Sequence, residues 1–96
     1  MNYWLTDPAK NDLILIWKYT YDKRSEKQAD RYIETLNARF AWLTANKGLW
    51  KQRSEIKQGL FSYPEQNHVI LFWERHNDIE ILRVLHARMD LEQHSH

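Results

Sequence analysis

The 96-residue chain contains no cysteine and only two glycines and two prolines. Without cysteine there is no disulfide, no thiolate-bound zinc and no thiol nucleophile. Two glycines are too few for the glycine-rich loops that cradle phosphate groups. No apolar run approaches the roughly 18–20 residues that a membrane-spanning helix needs. The formal net charge is only +1, so we expect no membrane association and no strong overall attraction to nucleic acid.

Aromatic residues are abundant by contrast. They make up 14% of the sequence, within a hydrophobic share of 43%. Large rings bury much apolar area per residue, which helps a short chain to form a core. We therefore expect one folded domain over residues 1–91, followed by a loose tail at residues 92–96. The start of the chain lacks the features of a secretory signal, so we expect a cytoplasmic protein.

The first half of the sequence predicts two helices. Asp7 can cap a helix whose first position is Pro8, and apolar residues then recur at three- and four-residue spacing to about residue 23. Ser25 and Gln28 fit the capping box of a second helix, which we expect to stop at Gly48. Because only two or three residues separate the helices, they should run antiparallel.

The second half predicts strands. Residues 60–63, 68–74 and 79–86 are rich in β-branched and aromatic side chains. We expect Pro64 to end the first of them and a turn at Asn77 and Asp78 to join the other two. Residues 68–74 are apolar on both faces, which is typical of a central strand. With a short strand at residues 3–6, the predicted fold is α+β: an antiparallel two-helix hairpin packed on a small antiparallel sheet of three to four strands, in the order β-α-α-β-β-β.

Motifs for metal binding and nucleophilic catalysis are weak. The histidines are His68, His76, His86, His94 and His96. None of them lies four residues from another on a predicted helix, and no acidic cluster accompanies them, so we expect no metal site. No serine has the context of a nucleophile elbow. These patterns assign no catalytic residue and no cofactor.

Two other patterns each have two interpretations. Residues 47–63 carry four cations, Lys47, Lys51, Arg53 and Lys57, against one carboxylate. This patch is either a solvated face or a site for phosphate or an acidic partner, with Arg83 and Arg88 nearby if the strands pair in sequence order. The two helices carry a wide aromatic stripe, Trp17, Tyr21, Tyr32, Phe40 and Trp42. It is either core or partly a groove in which a partner helix docks.

Four stretches of the sequence resemble the RelE/ParE superfamily of bacterial toxins, and the ParE branch in particular. They are residues 5–20 (LTDPAKNDLILIWKYT), 28–36 (QADRYIETL), 56–73 (IKQGLFSYPEQNHVILFW) and 79–91 (IEILRVLHARMDL). The last is the most specific, because no general folding requirement places Leu-His-x-Arg-Met-Asp after a strand. One departure is Phe61, which follows Gly59 and Leu60 where many family members have arginine after a Gly-Leu or Gly-Tyr pair.

The resemblance implies a helical hairpin on an antiparallel sheet, and it also implies a function. The chain would be the toxin of a type II toxin–antitoxin system, inhibiting DNA gyrase, with the A subunit as the expected target, and thereby inhibiting replication. A ParD-like antitoxin would neutralise it by direct binding in a hetero-oligomer, and the toxin would meet DNA only through antitoxin or gyrase. The alternative is a RelE-like ribosome-dependent mRNA endonuclease. The near-zero net charge favours the ParE branch, because RelE nucleases are strongly basic.

The resemblance also suggests residues for each role. For antitoxin binding we expect apolar anchors at Trp17, Tyr21, Leu36 and Phe40, with Arg31, Arg39 and Arg83 meeting acidic residues. For toxicity or target binding we expect Arg83, His86, Arg88, Met89 and Asp90, although His86, Met89 and Asp90 have the alternative role of folding the C-terminus onto the sheet. If the protein is a nuclease, its catalytic residues would be Arg83, Arg88 and His94.

Overall fold

The computed structural model describes residues 1–88. Its elements are β1 (Tyr3–Leu5), α1 (Asp7–Lys23), α2 (Glu26–Ala45), a 3-10 turn (Lys47–Leu49), β2 (Lys51–Gln52), β3 (Phe61–Glu65), β4 (His68–Arg75) and β5 (Asp78–His86). The predicted tail and the candidate residues Met89, Asp90 and His94 lie outside the described part of the chain. None of the helices within it is long and apolar enough to cross a membrane.

The predicted architecture of two helices on a sheet is confirmed. The sheet has five strands in the order β1-β5-β4-β3-β2, one more than the upper end of our expectation. The additional strand is β2, whose two residues pair with Phe61 and Ser62 of β3 and are too few to show a periodic pattern. The sheet is mixed and not wholly antiparallel, because β1 runs parallel to β5.

The helix start signals are partly confirmed. Ser25 caps α2 as predicted, its Oγ accepting from the Gln28 N–H at 3.1 Å. The cap of α1 is Thr6 and not Asp7: Thr6 Oγ1 accepts from the Ala9 N–H at 3.2 Å. The same hydroxyl donates to the carbonyl of Leu82 in β5 at 2.9 Å. Thr6 therefore joins the helix to the sheet, a partnership that the local sequence does not reveal.

The end of α2 differs from the prediction. The helix ends at Ala45, and Gly48 falls inside the 3-10 turn that follows. Asn46 is the C-cap, and its side-chain amide donates to the Trp42 carbonyl at 2.8 Å. That carbonyl is one of those left without a partner at a helix end, so Asn46 performs the role that we had assigned to glycine.

The strands β4 and β5 are confirmed. Their turn lies one residue earlier than expected, at His76 and Asn77, which have φ values of 53° and 65°. Left-handed backbone at both positions is what a two-residue type I′ hairpin requires, so Asp78 begins β5. Pro64 does not end β3. It lies beyond the part of β3 that pairs with β2, on an open edge where a missing N–H is tolerated.

Apolar side chains cover both faces of β4. The larger cluster joins the helices to the sheet and contains the fully buried Leu36, Phe40, Leu43, Ile70, Phe72, Ile79 and Ile81. On the other face, Leu60, Leu71 and Leu85 pack with Ile56 from the loop between β2 and β3. This arrangement agrees with the prediction that residues 68–74 form a central strand covered on both sides.

Candidate functional site

A cleft of about 1010 Å³ lies between the free end of the helical hairpin and one end of the sheet. The sheet side is formed by the β3–β4 turn and by the last residues of β5. Five cations and one carboxylate line it: Lys23, Arg24, Arg31, Arg83, Arg88 and Asp12. The formal charge of this lining is +4, whereas that of the whole chain is +1. Positive charge is thus concentrated in this one concavity, which we call the basic cleft.

Asp12 of α1 anchors the inner wall of the basic cleft. It is 7% exposed, and its two carboxylate oxygens accept from Arg83 Nε at 2.8 Å and Nη2 at 3.0 Å. One of them also accepts from the Val84 N–H at 2.9 Å. β1 ends at Leu5, opposite Ile81, so within residues 1–88 the edge of β5 beyond that point has no strand neighbour. Asp12 supplies the missing acceptor there and protects an otherwise open edge.

Arg83 is held in place by Asp12 and still faces the basic cleft. Its side chain is 38% exposed, and within residues 1–88 its Nη1 group has no bond to an acidic side chain. Its hydrogen bonding to the Asp12 carboxylate raises the pKa of Arg83 above its usual value. A preoriented guanidinium with unused N–H donors is well suited to bind a carboxylate or a phosphate.

Two histidines and a tyrosine lie together on the sheet side of the cleft. His68 and His86 are directly opposite each other on β4 and β5, with ring centroids 5.4 Å apart. The hydroxyl of Tyr32 lies 2.6 Å from His68 Nδ1 and 3.2 Å from the Glu65 carbonyl, to which it can donate. His86 Nδ1 accepts from the Arg88 N–H at 3.1 Å. We call Tyr32, His68 and His86 the imidazole cluster.

Burial favours the uncharged forms of Tyr32 and His68. It is the main cause that raises the pKa of Tyr32 to about 12, and the charge of Glu65 acts in the same direction. Burial also lowers the pKa of His68, and the neighbouring His86 lowers it further against an opposing effect of Asp12. The permanent positive charge of the cleft therefore comes from its lysine and arginine side chains.

The cleft also has an apolar rim on α1. Leu15 and Tyr19 line it and remain 54% and 64% exposed. They are one helical turn apart, so they form a short ridge along one side of the helix. A ridge of exposed apolar groups beside a cationic surface is a feature of sites that bind protein segments. The sequence contained this spacing, but we assigned the aromatic stripe to other positions.

The structure places the expected antitoxin-binding residues in different environments. Arg31 and Arg83 line the basic cleft. Trp17 and Tyr21 are not among its lining residues. Their rings stack at 5.2 Å, and Trp17 Nε1 donates to Asp30 at 2.8 Å. Arg39 also lies elsewhere, paired with a carboxylate of β3.

The prediction that Leu36 and Phe40 are surface anchors is wrong. Both have 0% exposure, because this face of α2 packs into the core between the helices and the sheet. Neither can contact a partner without partial unfolding. Their helical spacing is the same for a core face and for a docking face, so the sequence pattern does not separate the two roles.

His86 and Arg88, expected to act in toxicity, both line the cleft. Lys23, Arg24, Tyr32 and His68 also line it. Of these four, only Tyr32 belongs to a pattern that the sequence analysis connects with partner binding, the aromatic stripe. No local motif marks Lys23, Arg24 or His68 as site residues. The first two lie at the tip of the hairpin, His68 begins β4, and Tyr32 lies on α2. Only the packing of the hairpin over the sheet brings them together.

The basic patch predicted at residues 47–63 is a separate surface. It lies around β2, at the far edge of the sheet from β1, with β3 and β4 between β2 and β5. Arg83 is therefore not adjacent to it, which corrects our expectation. Two of the four cations form ion pairs, Lys47 with Glu74 and Arg53 with Glu55, each at 2.7 Å. These carboxylates reduce the net charge that the patch offers to a ligand.

The basic cleft is suited to bind an anion or an acidic segment. Among residues 1–88, no group of three or more histidine and acidic side chains is arranged to hold a metal ion. The lining offers fixed guanidinium and ammonium groups, two imidazoles and an apolar rim. These groups recognise a ligand by charge and shape.

A helical hairpin packed on a mixed sheet, with the basic cleft between the end of the hairpin and the end of the sheet, defines a small α+β domain with a cationic concavity. Residues 3–91 match the family model described as "ParE toxin of type II toxin-antitoxin system, parDE". The chain belongs to this ParE toxin family, and the resemblance noted in its closing motif is confirmed.

Individual relatives agree with this assignment. Toxin ParE1 of Mycobacterium tuberculosis is 29% identical over 92 residues, which are 95% of this chain and 94% of that protein. Toxin ParE1 of Caulobacter vibrioides is also 29% identical over 92 residues, covering 96% and 95%. A solved structure described as "Chromosomal ParDE TA system from P. aeruginosa" superposes with a TM-score of 0.80 over 92% of this chain and 97% of that one. Its sequence identity is 17%, so this match concerns the fold.

Proposed function

We propose that this ParE-family toxin acts in the bacterial cytoplasm by inhibiting DNA gyrase, and thereby replication. We also propose that a ParD-like antitoxin neutralises it by binding directly in the basic cleft. The observation that carries the second part is the concentration of five cations and an exposed apolar ridge in one concavity of about 1010 Å³. The first part is supported by membership in the ParE family.

Inhibition by binding alone is sufficient for such a toxin. A protein that binds one conformational state of gyrase more tightly than the others shifts the enzyme toward that state. No cofactor is required, and contact with DNA would be indirect, through gyrase or the antitoxin. We propose the A subunit as the gyrase partner, and Arg83, His86 and Arg88, followed by Met89 and Asp90, as the residues to test first for toxicity.

Gyrase inhibition is tested with purified protein. Supercoiled plasmid, gyrase and ATP are incubated with increasing toxin, and cleaved plasmid is quantified after denaturation. Accumulation of cleaved DNA is the expected result. Unchanged supercoiling and no cleavage at micromolar toxin contradict the proposal. An Arg88→Ala variant that keeps its fold and its antitoxin affinity but loses this effect would assign Arg88 to the target surface.

Antitoxin binding in the cleft is tested with the ParD-like protein expected from the neighbouring reading frame. Isothermal titration calorimetry compares the wild type with Arg31→Glu, which reverses a charge in the cleft lining. The control is Lys51→Glu, an equal charge reversal on the exposed strand β2. We expect a loss of affinity of at least tenfold for Arg31→Glu and little change for the control. Equal affinities for the two variants contradict the assignment of the cleft.

The RelE-like mRNA endonuclease remains a second candidate because of one observation. Two imidazoles and four guanidinium groups line the same cleft, and such groups supply general acid–base catalysis and charge stabilisation in phosphodiester cleavage. Ribosome-bound transcripts incubated with toxin separate the candidates. Cuts at codon positions support the nuclease, and intact transcripts together with gyrase inhibition support the ParE-type action.

A further inference from the structure

The imidazole cluster contributes a variable charge to a cleft whose other cations are permanent. The hydroxyl of Tyr32 from α2 contacts His68, the charge of Asp12 from α1 acts on it, and Arg31 from α2 lines the same cleft. Glu65 of β3 pairs with His68 in the strand ladder, and the ring of His86 contacts that of His68. Arg83 of β5 and Arg88, which follows β5, line the same cleft. Apart from Asp12, which is engaged by Arg83, and Glu65, which is paired with Arg39, these neighbours are neutral or cationic. A proton on His68 therefore meets repulsion in the free protein and attraction once an anion is bound.

The hydrogen bonds around His68 allow it to gain a proton without losing a partner. Tyr32 has one hydroxyl proton and two neighbours, His68 Nδ1 and the Glu65 carbonyl. When His68 is protonated, its Nδ1–H donates to the Tyr32 oxygen, and the Tyr32 hydroxyl donates to the carbonyl. Both contacts are satisfied in this state. The cluster is therefore built to accommodate either charge state of the imidazole.

We propose that the bound antitoxin places a carboxylate against the His68–His86 pair and that complex formation takes up a proton there. This inference rests on the proposed function, because it assumes that the antitoxin occupies the basic cleft. The partner that fits is an acidic segment with apolar side chains against Leu15 and Tyr19. The His68–His86 pair then serves as a recognition group that takes up one proton in the complex.

The sign of the pH dependence follows from the two states. In the free toxin, the pKa of His68 lies below its ordinary value of 6.5 because of burial and the neighbouring His86. A carboxylate in contact raises that pKa in the complex. At pH values between the two, the complex holds one more proton than its separated parts, so affinity rises as pH falls. One proton corresponds to at most about a tenfold change in Kd per pH unit.

Calorimetric titration of the antitoxin into the toxin between pH 5.5 and 8 tests the proposal. Measurement in two buffers of different ionisation enthalpy also gives the number of protons taken up. We expect the wild-type Kd to fall severalfold to tenfold per pH unit at the acid end, with uptake approaching one proton. His68→Gln and His86→Gln should flatten this slope. His76→Gln, in the exposed β4–β5 turn and outside the cleft lining, should keep it.

The outcomes separate this inference from the proposed function. If Arg31→Glu weakens binding but the slopes of the wild type and the His68→Gln and His86→Gln variants are equal, the antitoxin occupies the cleft and the proton uptake is wrong. If Arg31→Glu has no effect, the proposed site itself fails. NMR titration of the His68 ring in free and bound toxin gives a second measurement independent of variants. A pKa that does not rise in the complex overturns the proposal.

Discussion

Replacement of Asp12 tests the reasoning about the open edge of β5. In Asp12→Ala, the Val84 N–H loses its acceptor in a buried position, and the Arg83 guanidinium loses two hydrogen bonds. An unsatisfied buried N–H costs about 1–3 kcal/mol. Breaking a buried ion pair costs about 3–5 kcal/mol. Arg83 can partly turn to water because its side chain is 38% exposed. We therefore expect a total loss of about 2–4 kcal/mol of unfolding free energy.

Asp12→Asn separates the two contributions. The asparagine side-chain oxygen can still accept from the Val84 N–H, whereas the charge and one bond to Arg83 are lost. We expect this variant to lose about 1–2 kcal/mol, clearly less than the alanine variant. For a domain of this size the total stability is about 5–14 kcal/mol, so both losses are measurable by urea unfolding followed by circular dichroism.

The matched control is Asp22→Ala on the exposed side of the same helix. It removes a carboxylate without a described hydrogen bond, so we expect a change within about 0.5 kcal/mol. If Asp12→Ala and Asp22→Ala lose similar stability, then Asp12 does not protect the edge of β5 and the reasoning is refuted. A double-mutant cycle with Arg83→Gln gives the pairwise coupling directly.

Three further predictions concern other parts of the fold. Tyr32 should ionise near pH 12 in a spectrophotometric titration, and an ordinary tyrosine titration would contradict this. The stability that comes from its raised pKa is complete below about pH 10 and is lost as the pH rises to 12. Tyr32→Phe should therefore flatten the alkaline part of the curve of unfolding free energy against pH. Trp50→Phe should lower the unfolding free energy by about 1–3 kcal/mol, because the indole N–H of Trp50 donates to the buried Leu43 carbonyl at 2.8 Å. The control is Trp4→Phe in the same unfolding assay, which should change little because Trp4 is 43% exposed. Ser25→Ala should lose about 1 kcal/mol of helix capping and Ser25→Asp should retain it, and equal melting temperatures for the two variants would disprove the capping role.

Patterns among residues close together in the sequence predict most of the fold. The hairpin of α1 and α2 follows from apolar spacing, the Ser25 cap and a short connection, which are all local features. The central position of β4 follows from a run that is apolar on both faces. The cap of α1, by contrast, is Thr6 and not the predicted Asp7. The hydroxyl of Thr6 also bonds to Leu82, a strand residue that lies 76 positions away in sequence. The pairing of β1 with β5 and the two residues of β2 likewise depend on distant partners.

The candidate site was less predictable than the fold. Arg31, Arg83, His86 and Arg88 were chosen from composition and from the family resemblance, and all four line the cleft. A helical stripe shows which side chains share a face, but not whether that face meets the core or solvent. That ambiguity explains why Leu36 and Phe40, which are both in the core, were assigned to a partner surface.

The sequence by itself determined the ParE-like closing motif, the two helices and the strands β4 and β5, because each depends on residues close together in the chain. Only the tertiary structure decided where positive charge collects. The pairing of His68 with His86 is the clearest case. The β4–β5 turn pairs Arg75 with Asp78, and an unbroken ladder from it would place His68 opposite Leu85. A register shift between Leu71 and Phe72 moves the ladder by one residue, and that bulge brings the two imidazoles face to face in the basic cleft.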